Sequence, residues 1–215
     1  MKKILALVGD FYHPADYLTE GLYNSLNNLY SLDVKENYQH VIWKELENYD
    51  VFILAAAGQL NPEESDEIWM TEDHQDLIHK FVSNGGSLLV LHSGLAGYPI
   101  DGIYRELVKG HFIEHPPEHP EITLKPINNK NQLSRGVEEF TIVDEQYFVD
   151  IDEEDTVFFL KASSKEFGSS IAGWAHRYEM GKVSCITPGH TLKVLENDMI
   201  RKLILNSIDW CLSDR

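Results

Sequence analysis

Only two cysteines occur in 215 residues, Cys185 in "VSCIT" and Cys211 in "DWCL". Both stretches are apolar, so they read as buried free thiols of a reducing cytoplasm rather than a disulfide framework. Basic residues are also scarce: 18 Lys and Arg stand against 35 Asp and Glu, a formal charge of −17. With no Lys/Arg cluster to offset that charge, nucleic acid and anionic membrane surfaces are not expected partners. No apolar run approaches the roughly 20 residues that span a bilayer. The opening "MKKILALVGD" starts like a signal peptide, but its apolar run stops at Asp10 and no small-residue cleavage site follows, so it reads as a first β-strand. Internal repeats, low-complexity tracts and long linkers are missing too. The expectation is one domain over residues 1–215.

What is present is a hydrophobic pattern that alternates in period. "KKILALVG" reads as a buried strand. The helix after it is primed by Pro14, with Tyr17, Leu18, Leu22, Leu26 and Leu29 on one stripe. "YSLDVKEN" is a second strand, and "ELENYDVFILAAAG" carries a short helix and then a third. "EIWMTEDHQDLIHKFVSNGG" is amphipathic through Leu77, Ile78, Phe81 and Val82, and its Asn-Gly-Gly suits a helix stop. "SLLVLHS" is apolar on both faces, as a central parallel strand must be. This order predicts an α/β fold with a doubly wound, mostly parallel sheet flanked by helices. Further β-strands are expected in the C-terminal half: "EITLKPI", "EFTIVDEQYF", "TVFFLKAS", "SIAGWAHRY" and "KVSCITPGH". A helix, "NDMIRKLILNSIDWCL", closes the chain.

Ligands of open parallel sheets bind beyond the carboxyl ends of the strands. That rule selects Asp10, Tyr12 and His13 after the first strand, His92 and Ser93 after the central strand, and His190 after "TPG". Ser93 with a distant His190 permits nucleophilic catalysis, but "LHSGLAG" departs from the G-x-S-x-G elbow. His111, His115 and His119 recur every four residues, yet Pro116 and Pro117 forbid a helix there. A surface loop of solvated histidines is expected, with His115 the one to fold back over a site. Asp144 and Glu145 interrupt an apolar run, where strand alternation puts one on each face. Glu145 would share the face of Tyr147; a water-facing edge position is equally open. His92, Glu145 and His190 together would make a two-histidine, one-carboxylate ligand set for zinc or a similar divalent metal, with room for water.

These segments, in this order, resemble the ThuA-like trehalose-utilisation family over about Lys3 to Trp210: "LLVLHSG", "GHFIEHP", "LSRGVEEFTIVDEQYF", "AGWAHRYEMGKVSCITPGH" and "NSIDW". The family is similar in fold to class I glutamine amidotransferases, so the resemblance implies a flavodoxin-like domain. It carries His92 and Ser93 onto an "HS" motif, His115 onto "HP", Glu145 onto "DE-x-Y" and His190 onto "GH". The amidotransferase elbow cysteine has no counterpart, which excludes a Cys-His glutaminase. The glycine run before the "HP" segment is reduced to Gly110, and a family turn is shortened to "MGKV". The implied role concerns disaccharides or oxidised sugars in the cytoplasm, and some family members hold a metal. Three functions follow as expectations. The first is a carbohydrate enzyme, a sugar hydrolase or isomerase, using catalytic His92, Ser93, Glu145 and His190, a divalent metal on His92, Glu145 and His190, and substrate contacts from Asp10, Tyr12, His13, His115 and Tyr147. The second is a non-catalytic sugar-binding or accessory protein. The third is a Ser93 hydrolase with His190 as base. No nucleotide cofactor is expected, and a homo-oligomer is the default assembly.

Overall fold

The structure is a computed structural model that describes residues 1–26, 28–128, 131–154 and 156–213. Four strands open it in parallel: β1 (Lys3–Val8), β2 (Ser31–Lys35), β3 (Val51–Ala55) and β4 (Ser87–Leu91). Late in the chain, β11 (Gly181–Ile186) joins β4 in parallel, giving the order β2-β1-β3-β4-β11. This is the flavodoxin-like order, and the sequence expectation of a doubly wound sheet holds. Beyond β11 the sheet continues antiparallel through β10 (Gly168–Tyr178), β9 (Val157–Ser164), β6 (Glu121–Pro126) and β7 (Phe140–Val143). A separate ribbon pairs β5 (Gly110–Glu114) with β8 (Phe148–Ile151).

The central strands are buried on both faces because helices cover both. Val51, Ile53 and Ala55 face α1 (Ala15–Leu26), α4 (Leu192–Leu195) and α5 (Asp198–Leu212), packing with Leu18, Leu22, Ile204 and Ile208. Phe52 and Leu54, one residue out of phase, face α2 (Glu72–Ser83) and α3 (Ile103–Val108), packing with Ile78, Val82 and Leu107. The alternation follows from the two-residue period of a strand. Each such valine, leucine, isoleucine or phenylalanine, fully buried, contributes about 1.5–3 kcal/mol from area alone. Among the described residues no helix is long and apolar enough to cross a membrane.

Three sequence expectations change. Leu29 is not on the first helix: α1 ends at Leu26, Asn28 turns left-handed (φ 68°), and Leu29 is 55% exposed. "EFTIVDEQYF" is not one strand. It breaks after Val143, and Asp144 to Tyr147 cross irregularly from β7 to β8, so strand alternation does not apply to the acid pair. The histidine-rich segment is not all loop, since Gly110–Glu114 pairs with β8 in the register Gly110↔Ile151.

Candidate metal centre at the carboxyl edge of the sheet

The chain leaves β4 through a tight left-handed turn at His92 (φ 48°), a conformation that costs a β-carbon-bearing residue of order 1–3 kcal/mol and recurs at functional sites. Gly94 permits the turn, because a β-carbon there would stand 2.3 Å from the Leu54 carbonyl oxygen. The strained position, with its side chain aimed into the site, is therefore occupied by an imidazole. Ser93 sits behind it, 1% exposed, and its buried Oγ makes no hydrogen bond of accepted geometry, although the hydroxyl is close enough to help lower the pKa of Asp10. The hydroxyl is thus buried behind His92, and no histidine hydrogen-bonds it.

Three other connections converge on His92. After β1, Asp10 accepts from the backbone N–H groups of Tyr12 (3.0 Å) and His13 (3.0 Å) and, through its other oxygen, from Ala57 (2.8 Å). It also takes the Nδ1 proton of His13 at 2.7 Å. Burial pushes the Asp10 carboxyl up, but the His13 hydrogen bond and charge, with the Ala57 N–H, more than reverse this and leave it below the usual range. After β11, the Thr187 carbonyl accepts from His92 Nδ1 at 2.7 Å. The next turn is held by Asp144, fully buried, which accepts from the N–H groups of Gly189 (2.9 Å) and His190 (3.2 Å). Desolvation raises the Asp144 pKa despite these contacts. Between β7 and β8, Glu145 and Tyr147 turn inward, and Tyr147 stacks on His92 with ring centroids 4.5 Å apart.

These contacts fix tautomers. His13 and His92 each give the Nδ1 proton to an oxygen, so each neutral ring carries a bare Nε2. The two Nε2 atoms face each other at 3.1 Å, close enough to share a proton or a cation. His92 Nε2 lies 3.3 Å from Glu145 Oε2, and the Tyr147 hydroxyl donates a hydrogen bond to it at 3.3 Å. His190 Nδ1 lies 3.2 Å from Glu145 Oε1, but buried and without a hydrogen bond of accepted geometry. Ligand bonds of about 2.0–2.2 Å at tetrahedral angles place neighbouring ligand atoms roughly 3.3–3.6 Å apart, close to these separations. One donor atom from each of His13, His92, Glu145 and His190 lies within 4.8 Å of all the others. The residues present therefore fit a divalent cation: nitrogen-rich donors, an orphaned ring nitrogen, and outer partners that orient the rings.

The electrostatics agree. Burial alone would raise the Glu145 pKa, yet the adjacent imidazoles of His190 and His92 hold it well below the usual carboxylate range. Glu145 in turn raises His190, while burial, outweighing Asp10, lowers His13. A carboxylate held so firmly ionised is a good ligand and a poor general base. Burial and the neighbouring carboxylates push the Tyr147 phenol well above its ordinary value, so it remains a neutral donor.

Over this cluster lies a cavity of about 580 Å³, lined by His13, Glu145 and His190 below and by Phe11, Tyr12, Gln59, Phe112, His115 and His119 around. That size suits a small ligand. Most residues singled out from the sequence reach this region, with different parts. His115 does fold over the site, 3.5 Å from Glu145 Oε1. Tyr12 stands on the rim, 57% exposed. Asp10 has its oxygens committed to backbone and His13, so it positions rather than binds. His111 points elsewhere, accepting from Arg105 Nε at 3.0 Å. Sequence reasoning missed His13 as a member of the donor set, His119, and the bracing role of Asp144. The signal available for the first was a histidine three residues beyond an aspartate at a strand end. Cys185 and Cys211 are both buried, and neither lines this cavity.

The sequence model of the family ThuA, trehalose utilisation, matches residues 11–211. No curated protein matches the chain. Among solved structures, a ThuA-like protein from Bacteroides uniformis superposes with a TM-score of 0.78 at 14% identity, over 99% of this chain and 92% of that one. A cytoplasmic protein from Salmonella typhimurium LT2 gives 0.70 at 16% identity, over 97% of this chain and 99% of that one. A β-galactosidase from Bacillus circulans gives 0.64 at 13% identity, with 97% of this chain lying on 31% of the enzyme. At these identities the superpositions establish the fold alone.

Proposed function

The chain belongs to the ThuA, trehalose-utilisation, family, and from that premise we propose that it is a cytoplasmic, single-domain enzyme of carbohydrate utilisation acting on a neutral disaccharide or oxidised sugar. The observation that carries the reading is the meeting of His13, His92, Glu145 and His190 on the floor of a cavity of about 580 Å³. His13, His92, Glu145 and His190 would hold a divalent metal of the zinc type. When bound, such an ion supplies a Lewis acid and lowers the pKa of a coordinated water. The chain's own residues would do the rest. Asp10 and the Thr187 carbonyl take hydrogen bonds from Nδ1 of His13 and His92 and so aim their Nε2 atoms into the cluster. The hydrogen bond and charge of Glu145 raise the His190 pKa against burial, so the two groups act as a coupled pair. Tyr147 offers a neutral O–H, and Phe11 and Phe112 give apolar faces for sugar C–H surfaces. The acidic charge of −17 disfavours phosphorylated substrates and supports a neutral one. The cytoplasmic location is supported by two free cysteines and by the Salmonella structural relative described as cytoplasmic.

The test is metal content by elemental analysis of untagged protein, paired with turnover over a panel of neutral disaccharides and oxidised sugars. Bound divalent metal and turnover, both abolished in His92→Ala and Glu145→Gln, are expected. Protein that binds no metal, and whose variants behave like the parent, refutes the reading. A non-catalytic sugar-binding role is the second reading, favoured by the imidazole standing where related folds keep a nucleophile. It predicts a ligand-induced rise in melting temperature with no turnover.

A further inference from the structure

We propose that a second cavity, beside the one over the histidine cluster, is a sugar subsite, and that the chain takes a saccharide of at least two rings whose distal ring is held by Glu36, Asn37, Tyr38 and Trp69. This cavity measures about 310 Å³, at the lower end of the roughly 300–1,000 Å³ of small-ligand sites, and is large enough for one sugar ring. Asp10, Phe11, Ala57 and Gln59 line both cavities, so the two meet along one wall. The second one takes its floor from the ends of β1 and β3, through Leu7, Gly9 and Ala56. In the order β2-β1-β3-β4 that is where the direction of winding changes, the place at which open sheets of this order bind ligands.

The lining has the chemistry of a neutral polyol. Glu36 follows directly on β2, the position at which dinucleotide-binding sheets hold an acid on a ribose diol. A carboxylate accepts from both hydroxyls of such a diol, and here only the Thr19 hydroxyl approaches it, at 3.3 Å. A nucleotide does not suit the same place. β1 runs into Gly9-Asp10-Phe11 with no glycine-rich phosphate turn, and the Asp10 carboxylate opposes a phosphate. Asn37 Oδ1 accepts from the Gln39 N–H at 2.8 Å, which leaves its amide N–H₂ as a donor. Among the described residues the Gln59 side-chain amide has no hydrogen-bond partner. Its backbone is fixed by pairing with Ile68 and by Gly58, where a β-carbon would stand 2.2 Å from the Gly97 carbonyl oxygen. A rigidly presented amide on the shared wall can donate to the oxygen that links two rings. The aromatic side is equally fixed. Trp69 is 5% exposed, gives its Nε1 proton to the Ala57 carbonyl at 2.9 Å, and stacks with Tyr38 and Trp43 at 5.4 and 5.7 Å between ring centroids. With Phe11, these rings offer apolar surface to the C–H faces of a sugar.

This inference rests on the carbohydrate reading of the first cavity, but it fails separately. Binding is measured by titration calorimetry for a neutral pair, glucose and trehalose, and an oxidised pair, gluconate and maltobionate. Within a pair that binds, the two-ring member should bind the parent about tenfold tighter than the one-ring member, the worth of one or two added hydrogen bonds. Glu36→Ala/Asn37→Ala should remove that advantage and leave the one-ring affinity within about twofold. Leu60→Trp, at a side chain that lines the second cavity and not the first, should fill it and do the same. Trp69 is the tryptophan that lines this cavity, so tryptophan emission should shift with the two-ring ligand alone, and Trp69→Phe should abolish the shift. If the double variant fails to fold by circular dichroism, Leu60→Trp and the emission carry the test. Equal affinities within both pairs, an advantage that survives these substitutions, or an emission unmoved by the two-ring ligand overturns the second subsite and leaves the first reading standing. Binding of none of the four sugars overturns both.

Discussion

At the scale of single residues, the site depends on groups that would not touch a ligand. Asp10 is the clearest, because four donors converge on its carboxylate and one of them fixes the ring of His13. Asp10→Asn keeps the shape but presents an amide N–H₂ where an oxygen now accepts, either to His13 or to the Ala57 N–H. Such a mismatch at a buried donor costs about 1–3 kcal/mol. Weakening the acceptor behind a metal-bound histidine typically lowers metal affinity 10–100-fold. The expected outcome is a lower thermal midpoint together with zinc affinity reduced within that range, measured by melting and competitive titration. A variant that melts lower but binds zinc as the parent does would confine Asp10 to a role in folding.

At the scale of elements, the turn leaving β4 and the start of α2 offer a contrast. Gly94 lets the backbone pass 2.3 Å from where its β-carbon would meet the Leu54 carbonyl, and that oxygen belongs to a central strand that cannot yield. Gly94→Ala should displace the His92 turn, destabilising the protein by several kcal/mol, beyond the usual range for one substitution. Thr71 caps α2, its Oγ1 accepting from the His74 N–H while His74 Nδ1 accepts from the Thr71 N–H. Thr71→Ala should cost about 1 kcal/mol and leave metal binding unchanged. Denaturant unfolding and metal titration of both variants check the pair. Equal costs would show that the β4 turn is not under the constraint described.

The same elements explain what could be read from the chain beforehand. β1, β3, β4 and α2 carry their own periodicity, so their place in the sheet, and the strand ends bearing Asp10, His92 and His190, were legible in the sequence. The β5–β8 ribbon was not, because Gly110 pairs with Ile151 across a long intervening stretch and the prolines after Glu114 dominate the local signal. The inward turn of Glu145 was hidden for a related reason. An apolar run containing two acids reads as a strand, and only the cost of burying them ionised without partners reveals that it must break there.

At the scale of the whole molecule, the stability profile in mild acid separates buried histidines from the acidic surface. His176 on β10 is 2% exposed, gives its Nε2 proton to the Leu107 carbonyl at 2.9 Å, and leaves Nδ1 buried without a partner. Protonation would create a charged donor facing nothing, and burial pushes its pKa down to about 4 from 6.5. A depressed histidine is neutral in the fold and charged in the unfolded chain. Its stability contribution is therefore full above pH 6.5 and lost as pH falls towards 4, about 3 kcal/mol in all and roughly 2 kcal/mol by pH 5. His13, also lowered, has the same sign. His190, raised, has the opposite sign, contributing below pH 6.5 and losing that contribution as pH rises through its higher folded value. Asp10 and Glu145, both lowered, contribute above their ordinary values near 4 and lose that contribution only below them. The fall between pH 6.5 and 4 is thus weighted towards His176. His176→Gln preserves a donor for Leu107 and cannot charge. Its unfolding free energy should fall by about 2 kcal/mol less than the parent's between pH 7 and pH 5, read from urea denaturation at each pH. Parallel slopes for the two proteins would show that His176 titrates normally in the fold.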